Sequence, residues 1–228
     1  MSFNWNLQKE YFLKALMDGD TSAGLVVSAR VTSAEQLGQF YRYVIQPSLY
    51  DIGEAWAQGK LSISQEHLAS AIVGRVLSSL NARFCHPLCT KGRVVVSTIY
   101  GEYHELGAWI LADLLEHDGW EVCYLGANPA DTRIFDTIVR FKPHLLALSV
   151  TMPTNIDYVR RIIVHIRQSA IWLHHLPFLL VVPQLIHNQV SGETLEHTGI
   201  QKMLRRPLCI HDLCGKVCRV QGDCNSLP

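Results

Sequence analysis

The sequence predicts a helical domain followed by a doubly wound α/β domain with a parallel sheet. Two patterns predict this order. Apolar residues recur at helical spacing over residues 7–83, and short β-branched runs alternate with helical segments from residue 92 onward. The chain has 228 residues, of which 48% are apolar and 18% charged, so each domain can bury a core. We assign residues 1–84 to a helical bundle, 92–200 to the α/β domain and 201–228 to a basic, cysteine-rich tail that we expect to be poorly ordered.

The first of four predicted helices lies in the segment NLQKEYFLKALMDGD and ends at Gly19. A weaker helix is predicted near residues 22–32. The spacing of the first helix indicates a buried side formed by Leu7, Tyr11, Leu16 and Met17.

The third and fourth predicted helices have longer apolar rows. The third covers residues 34–56 and ends before Gly59, and Pro47 predicts a kink or a local break inside it. The fourth begins at Ser62 or Ser64, either of which can cap it. The residues predicted to face the core are Leu37, Phe40, Tyr41, Val44 and Ile45 in the third helix and Leu68, Ile72, Val76 and Leu80 in the fourth. Four helices with short links are typical of a bundle.

Short buried strands alternate with helices in the second domain, which predicts a parallel sheet with helices on both faces. Ligands of such sheets bind beyond the carboxyl ends of the strands. The predicted strands are 93–99, 120–126, 144–150 and 176–182, and the predicted helices are 107–119, 129–143 and 154–169. Beyond them, residues 191–199 are consistent with one more helix and residues 200–204 with a short fifth strand.

Charge and composition narrow the classes of partner. Lys plus Arg and Asp plus Glu both number 20, and this zero net charge argues against a polyanion as the main partner. The sequence has no apolar run long enough for a membrane span and no secretory signal at its N-terminus. Seven cysteines, an odd number, fit reduced thiols better than a disulfide framework, so we expect a cytoplasmic protein.

The loop after the first strand, YGEYHELGAW, carries the clearest candidate site. His104 there can point one ring nitrogen at a ligand, while Glu102 accepts the N–H of the other nitrogen and orients the ring. Gly107 allows a bulky group to approach the backbone. From the residues alone, such pairs are common, and an exposed loop histidine beside a chance glutamate is the first interpretation.

The E-x-H-x-x-G spacing of this loop resembles the D-x-H-x-x-G signature of the cobalamin-binding domain, a Rossmann-like sheet preceded by a four-helix bundle. Residues 7–182 resemble that whole arrangement in the same order. The resemblance implies that His104 is the lower axial ligand of cobalt, displacing the dimethylbenzimidazole of the cofactor, with Glu102 in place of the usual Asp. Ser149 and Thr151, in LSVT after the third strand, match the S-x-[LT] motif that lines the pocket for the nucleotide tail.

A second motif lies in the helical domain, where nine residues separate Trp56 from Glu66 and His67. It resembles the light-sensing adenosylcobalamin domains of the CarH type. In those domains the Trp caps the upper face of the corrin and packs on the adenosyl group, which the Glu and His contact. The alternatives are a bundle-core aromatic for Trp56, and a helix N-terminal acid and a solvated histidine for the other two.

The chain departs from this family pattern at three places. Val181-Val182-Pro183 stands where the family has Gly-Gly beside the nucleotide tail, which puts tight binding of a full-length cobalamin in question. Ala57 stands where one photoreceptor subgroup has a histidine that becomes the upper ligand after illumination. The chain starts directly at the bundle, without the helix-turn-helix domain of the related repressors, so we expect no direct DNA binding.

The resemblance implies a sensor that binds adenosylcobalamin and responds to light through a shift of the bundle, acting on an unidentified protein partner. We expect a homo-oligomer, no membrane association and no enzymatic activity of its own. Two alternatives are a corrinoid carrier of methyl groups in a methyltransferase system and a decayed paralogue that binds nothing. Binding of a bilin as a second chromophore is also left open.

The tail contains four cysteines, whose spacings fit no standard zinc site. They are Cys209, Cys214, Cys218 and Cys224.

Overall fold

A computed structural model describes residues 4–84, 88–169 and 176–181 of the protein, and the chain divides into two compact units after His86. The first unit is helical and the second is a parallel four-stranded sheet with helices, which confirms the predicted fold class. The cysteine-rich tail, the further helix and fifth strand predicted at 191–204, and Val182 lie outside the described residues. No helix in the described part of the chain is long and apolar enough to cross a membrane.

The helical unit contains the four helices that the sequence predicts. The third consists of α3, a π-helical turn and α4 in direct succession. The weak helix predicted at 22–32 is shorter and ends at Ser28. The helices are α1 (Trp5–Asp18), α2 (Thr21–Ser28), α3 (Ala34–Phe40), the π-helical turn (Tyr41–Ile45), α4 (Gln46–Ala57) and α5 (Ile63–Asn81).

The π-helical turn ends at Ile45, two residues before Pro47, and is the local break that this proline predicts. Pro47 has no N–H to donate to the carbonyl of Tyr43, and its ring would clash with that carbonyl in a regular α-helix. The backbone widens there, and the N–H of Gln46 donates to the carbonyl of Tyr41 instead.

The buried faces agree with prediction in the third helix but not in the first. All five residues predicted to face the core around the π-helical turn are buried. In α1 only Leu16 of the four predicted residues is buried, because the helix packs through Phe12, Ala15 and Leu16. The polar Gln8 shares this face, since its side-chain oxygen accepts a hydrogen bond of 2.9 Å from Arg30.

Leu68 in α5 was also predicted to face the core, and the structure corrects this, since its side chain is 47% exposed. Residues four apart in an α-helix are offset by about 40° around the helix axis. Leu68 and Leu80 are three such steps apart, so they differ by about 120° around the axis. The buried stripe of α5 instead follows the mixed spacing of Ala69, Ile72, Val73, Val76, Leu77 and Leu80.

The second unit has its strands in the order β2-β1-β3-β4, all parallel. One face packs on α6, and the other packs on α7 and α8, so the central strands β1 and β3 are buried on both sides. The elements are β1 (Gly92–Ser97), α6 (Leu106–His117), β2 (Trp120–Tyr124), α7 (Asp131–Phe141), β3 (Leu145–Ser149), a 3₁₀ turn (Pro153–Asn155), α8 (Ile156–Ser169) and β4 (Phe178–Val181).

The strand order reverses direction between β1 and β3. After β1 the chain forms β2 on one side of β1, and it then crosses back to form β3 on the other side. At such a switch point the loops that follow the two strands diverge and leave a crevice at the carboxyl edge of the sheet. The loop that carries Glu102 and His104 follows β1, and Thr151 follows β3, so the candidate residues of this unit meet at that edge.

Candidate functional site

Glu102 joins the two loops at the switch point through its side chain, which is 0% exposed. Its Oε1 atom accepts a hydrogen bond of 3.2 Å from the backbone N–H of His104 and lies 2.5 Å from Nδ1 of the same residue. Its Oε2 atom accepts hydrogen bonds from the backbone N–H groups of Thr151 (2.9 Å) and Met152 (3.0 Å) and from Nδ2 of Asn155 (3.1 Å). One carboxylate therefore orients the histidine and fastens the loop after β3.

These hydrogen bonds keep Glu102 ionised. Burial by itself raises the pKa of this carboxyl group, but the donors from His104, Met152, Thr151 and Asn155 outweigh it and lower the pKa from 4.5 to about 2. Because an ionised carboxylate can only accept, Nδ1 of His104 is the donor of the short hydrogen bond. In the neutral imidazole the lone pair then belongs to Nε2, which is the nitrogen able to bind a metal.

The ring of His104 is accessible although its partner is buried. The side chain of His104 is 54% exposed, against 0% for that of Glu102. An accessible imidazole whose other nitrogen is held by a buried carboxylate has the arrangement of a metal-binding histidine with an orienting partner. His104 is the residue of this loop best suited to hold a metal.

Asn128, in the loop after β2, holds the other side of the His104 loop. Its Oδ1 atom accepts a hydrogen bond of 2.8 Å from the N–H of Gly101, and its Nδ2 atom donates one of 3.0 Å to the hydroxyl of Tyr103. Its backbone N–H lies 2.9 Å from both the hydroxyl of Thr98 and the carbonyl of Glu102. Asn128 has a positive φ of 49°, which asparagine tolerates better than most residues.

Gly107 and Ser149 lie together beside this loop. A Cβ atom added to Gly107 would lie 3.6 Å from Oγ of Ser149, which is an ordinary contact. The Ser149 hydroxyl is buried and has no hydrogen-bond partner among the described residues. A buried hydroxyl without a partner beside a position that lacks a side chain is suited to receive a polar group of a ligand.

Trp56, in the last turn of α4, is 46% exposed, so the structure excludes the bundle-core interpretation of this residue. Glu66 and His67 lie in the first turns of α5, after a link of residues 58–62, and so share one end of the helical unit with Trp56. Glu66 is hydrogen-bonded to Nδ1 of His67 (2.7 Å) and to the hydroxyl of Ser70 (2.8 Å). The side chain of His67 is 73% exposed.

The structure thus brings Glu102, His104 and Thr151 into one hydrogen-bonded group and sets Gly107 against Ser149. Trp56, Glu66 and His67 belong to the helical unit, where Glu66 and His67 are hydrogen-bonded to each other. Val181 ends β4, opposite Ser149 in the register of the sheet.

Sequence reasoning missed four members of the site, which are Thr98, Asn128, Met152 and Asn155. Met152 takes part through its backbone N–H, which no residue type encodes. Asn128 and Asn155 carried a usable signal, because each is an amide side chain that follows the carboxyl end of a parallel strand.

Comparison with known proteins identifies both units. Residues 92–171 match a family model described as the B12 binding domain, and residues 9–81 match a second model with the same description. The monomethylamine corrinoid protein of Methanosarcina barkeri has a similar fold, with a TM-score of 0.67 at 12% identity over 86% of this chain and 91% of that chain.

Two curated proteins are similar in sequence. The HTH-type transcriptional repressor CarH of Myxococcus xanthus is 30% identical over 127 residues, which are 55% of this chain and 42% of CarH. The trimethylamine corrinoid protein 2 of Methanosarcina acetivorans is 35% identical over 65 residues, which are 28% of this chain and 30% of that protein. The chain spans less than half the length of each of these relatives. Together with the two domain matches, they show that this chain is a cobalamin-binding domain protein, in which a helical B12 binding domain precedes a Rossmann-like one.

Proposed function

We propose that this protein is a light-responsive regulator that binds adenosylcobalamin, with His104 as the lower axial ligand of cobalt and another protein as its downstream partner. The hydrogen bond between the buried carboxylate of Glu102 and Nδ1 of the accessible His104 ring carries the proposal. This pair places the lone pair on Nε2 of His104 and raises the basicity of that nitrogen.

The residues beside the His104 loop also suit a cobalamin. The buried hydroxyl of Ser149, which has no partner among the described residues, supplies a polar contact for the nucleotide tail. Gly107 leaves the space beside that hydroxyl open. In this proposal Thr151 contributes through its backbone N–H, which holds Glu102 in place.

The choice of adenosylcobalamin over other cobalamins rests on Trp56, Glu66 and His67. A half-exposed Trp at the end of α4 offers a large aromatic surface to a bulky upper group, and the Glu66–His67 pair at the start of α5 offers polar contacts. Bound adenosylcobalamin would supply a cobalt–carbon bond that light cleaves. The similarity to the repressor CarH supports a regulatory role.

A corrinoid carrier of methyl groups is the second candidate, and the similarity to a trimethylamine corrinoid protein favours it. A carrier must open the upper face of its cofactor to another protein, which a bulky Trp in that place would hinder. The response to light therefore distinguishes the two functions, as does methyl transfer to a thiol acceptor.

The test begins with protein loaded with adenosylcobalamin in the dark. We expect a coloured complex whose absorption spectrum and elution volume in size exclusion both change on illumination, the latter because the proposed regulator is a homo-oligomer. Methyl transfer from bound methylcobalamin without any response to light would favour the carrier. Failure to retain any cobalamin would overturn both candidates.

The lower ligand is tested separately with the cob(II)alamin form in protein labelled with ¹⁵N-histidine. Electron paramagnetic resonance should show the ligand splitting change from a triplet to a doublet on labelling, because the coupled nitrogen belongs to the protein. The splitting from the cofactor's own base would not change, and that result would overturn the assignment. His104→Ala should lose the doublet, and His165→Ala, at an exposed histidine of α8, should keep it.

A further inference from the structure

Glu105 follows His104 in the chain, and its side chain is held from the β2 side of the loop. Its Oε2 atom accepts a hydrogen bond of 3.0 Å from the hydroxyl of Tyr124, the last residue of β2. The carboxylate of Glu102 is fastened instead to the loop after β3, on the other side of β1. Two carboxylates therefore flank the histidine in sequence, each anchored from a different neighbour of β1.

The hydroxyl of Tyr124 is the donor in this anchor. Burial, followed by the charge and the hydrogen bond of Glu105, raises the pKa of Tyr124 well above its ordinary value of 10, so the phenol keeps its proton. The same hydroxyl lies 3.4 Å from the backbone carbonyl of Glu105. Tyr124 thus fixes the position of Oε2 and leaves the other carboxylate oxygen to other partners.

That other oxygen, Oε1 of Glu105, has no hydrogen-bond partner among the described residues, and the residue is partly exposed. Gly126, in the loop after β2, leaves space beside the carboxylate. A Cβ atom added to Gly126 would lie 3.5 Å from Oε2 of Glu105, and the φ of 76° at this glycine disfavours any side chain. An anchored carboxylate with one open oxygen is suited to accept a hydrogen bond from a ligand.

The position of Glu105 indicates which group of a ligand it meets. Consecutive Cα atoms are about 3.8 Å apart, so Glu105 starts close to the residue proposed to hold cobalt. The corrin ring carries primary amides around its edge, and each of them offers two N–H donors. A carboxylate beside the metal ligand complements such an amide, whereas it repels a carboxylate in the same place.

We propose that Glu105 is a specificity-determining residue, which accepts a hydrogen bond through Oε1 from one peripheral amide of the corrin and rejects corrinoids with a carboxylate at that point. Tyr124 is its positioning residue. The inference rests on the proposed binding of cobalamin through His104, but it concerns a part of the cofactor distinct from cobalt and from the nucleotide tail.

The test compares cobalamin with its monocarboxylic acids, in each of which one peripheral amide is hydrolysed. The wild type should bind one of these acids about tenfold more weakly than cobalamin, because a hydrogen bond to a charged group is replaced by repulsion between like charges. Glu105→Gln should abolish this difference, since its side-chain amide can donate to the carboxylate of that acid. Equilibrium dialysis in the dark measures the affinities.

Two further variants serve as controls. Glu121→Gln removes the same charge at an exposed position of β2, so it should keep the preference of the wild type and exclude an effect of net charge. Tyr124→Phe keeps the ring but removes the anchor, and it should reduce the preference without abolishing it. Circular dichroism should show the same fold in all variants. Equal preferences in the wild type and Glu105→Gln for every acid would overturn the inference.

Electron paramagnetic resonance on the loaded wild type distinguishes failure of this inference from failure of the proposed function. A histidine nitrogen on cobalt, together with affinities that do not depend on residue 105, would overturn the role of Glu105 alone. A cobalt without a histidine nitrogen would overturn the proposed function and this inference with it.

Discussion

The Oε1 atom of Glu102 lies 2.5 Å from Nδ1 of His104, and the two side chains differ sharply in exposure, at 0% and 54%. The buried member is charged and the accessible member carries the lone pair. A charge buried in this way is stable only because donors surround it, and those donors come from a second loop. Site geometry and local stability therefore depend on the same carboxylate.

Glu102→Gln should destabilise the cofactor-free protein by about 1–3 kcal/mol. The amide has nearly the same shape, but its NH₂ group must face either His104 or the donors of Thr151, Met152 and Asn155, and donors then oppose each other. Urea unfolding followed by circular dichroism measures the loss. Glu121→Gln, at an exposed position of β2, is the control and should change stability little.

Stability should fall with acid in the window set by Glu102. Its pKa is lowered from 4.5 to about 2 in the folded protein, so between these values the unfolded chain binds more protons than the native state. The stabilisation is complete above pH 4.5 and decreases as the pH falls toward about 2. Unfolding free energies measured across this window should fall less steeply in Glu102→Gln than in the wild type. Parallel curves would show that Glu102 titrates normally.

Gly107→Ala should have opposite effects on stability and on binding. Alanine is the better helix former by up to about 1 kcal/mol, and its Cβ would meet Ser149 Oγ at an ordinary distance of 3.6 Å, so the cofactor-free protein should become more stable. Under the proposed function the same methyl group occupies space for the nucleotide tail, and affinity for cobalamin should fall. Thermal unfolding and equilibrium binding measure the two effects. An unchanged affinity would remove Gly107 from the proposed site.

Trp56→Ala should lower the stability of the protein by only about 1–2 kcal/mol, because the side chain is 46% exposed and about half of its surface is buried. Under the proposed function it should weaken retention of adenosylcobalamin while affecting methylcobalamin much less. Filter binding with both cofactors in the dark compares them. Tyr11→Ala, at a 48% exposed aromatic of α1, is the control and should alter neither. Equal losses for both cofactors would argue against recognition of the adenosyl group by Trp56.

The sequence by itself determined the order of the two units and the place of the histidine loop. Helical spacing and β-branched runs are local patterns, and the carboxyl edge of a parallel sheet follows from strand order and the switch-point rule. The buried face of α1 could not be obtained in this way, because it includes the polar Gln8, whose hydrogen-bond partner Arg30 lies beyond the end of α2.

Only the tertiary structure decided how Glu102 is held. Its partners on Oε2 lie 49 to 53 positions further along the chain, and two of them are backbone N–H groups that any residue type other than proline supplies. The sequence placed a glutamate two residues before a histidine. The fold made that glutamate a buried, ionised link between two loops, because β1 and β3 are neighbours in the sheet although α6, β2 and α7 separate them along the chain.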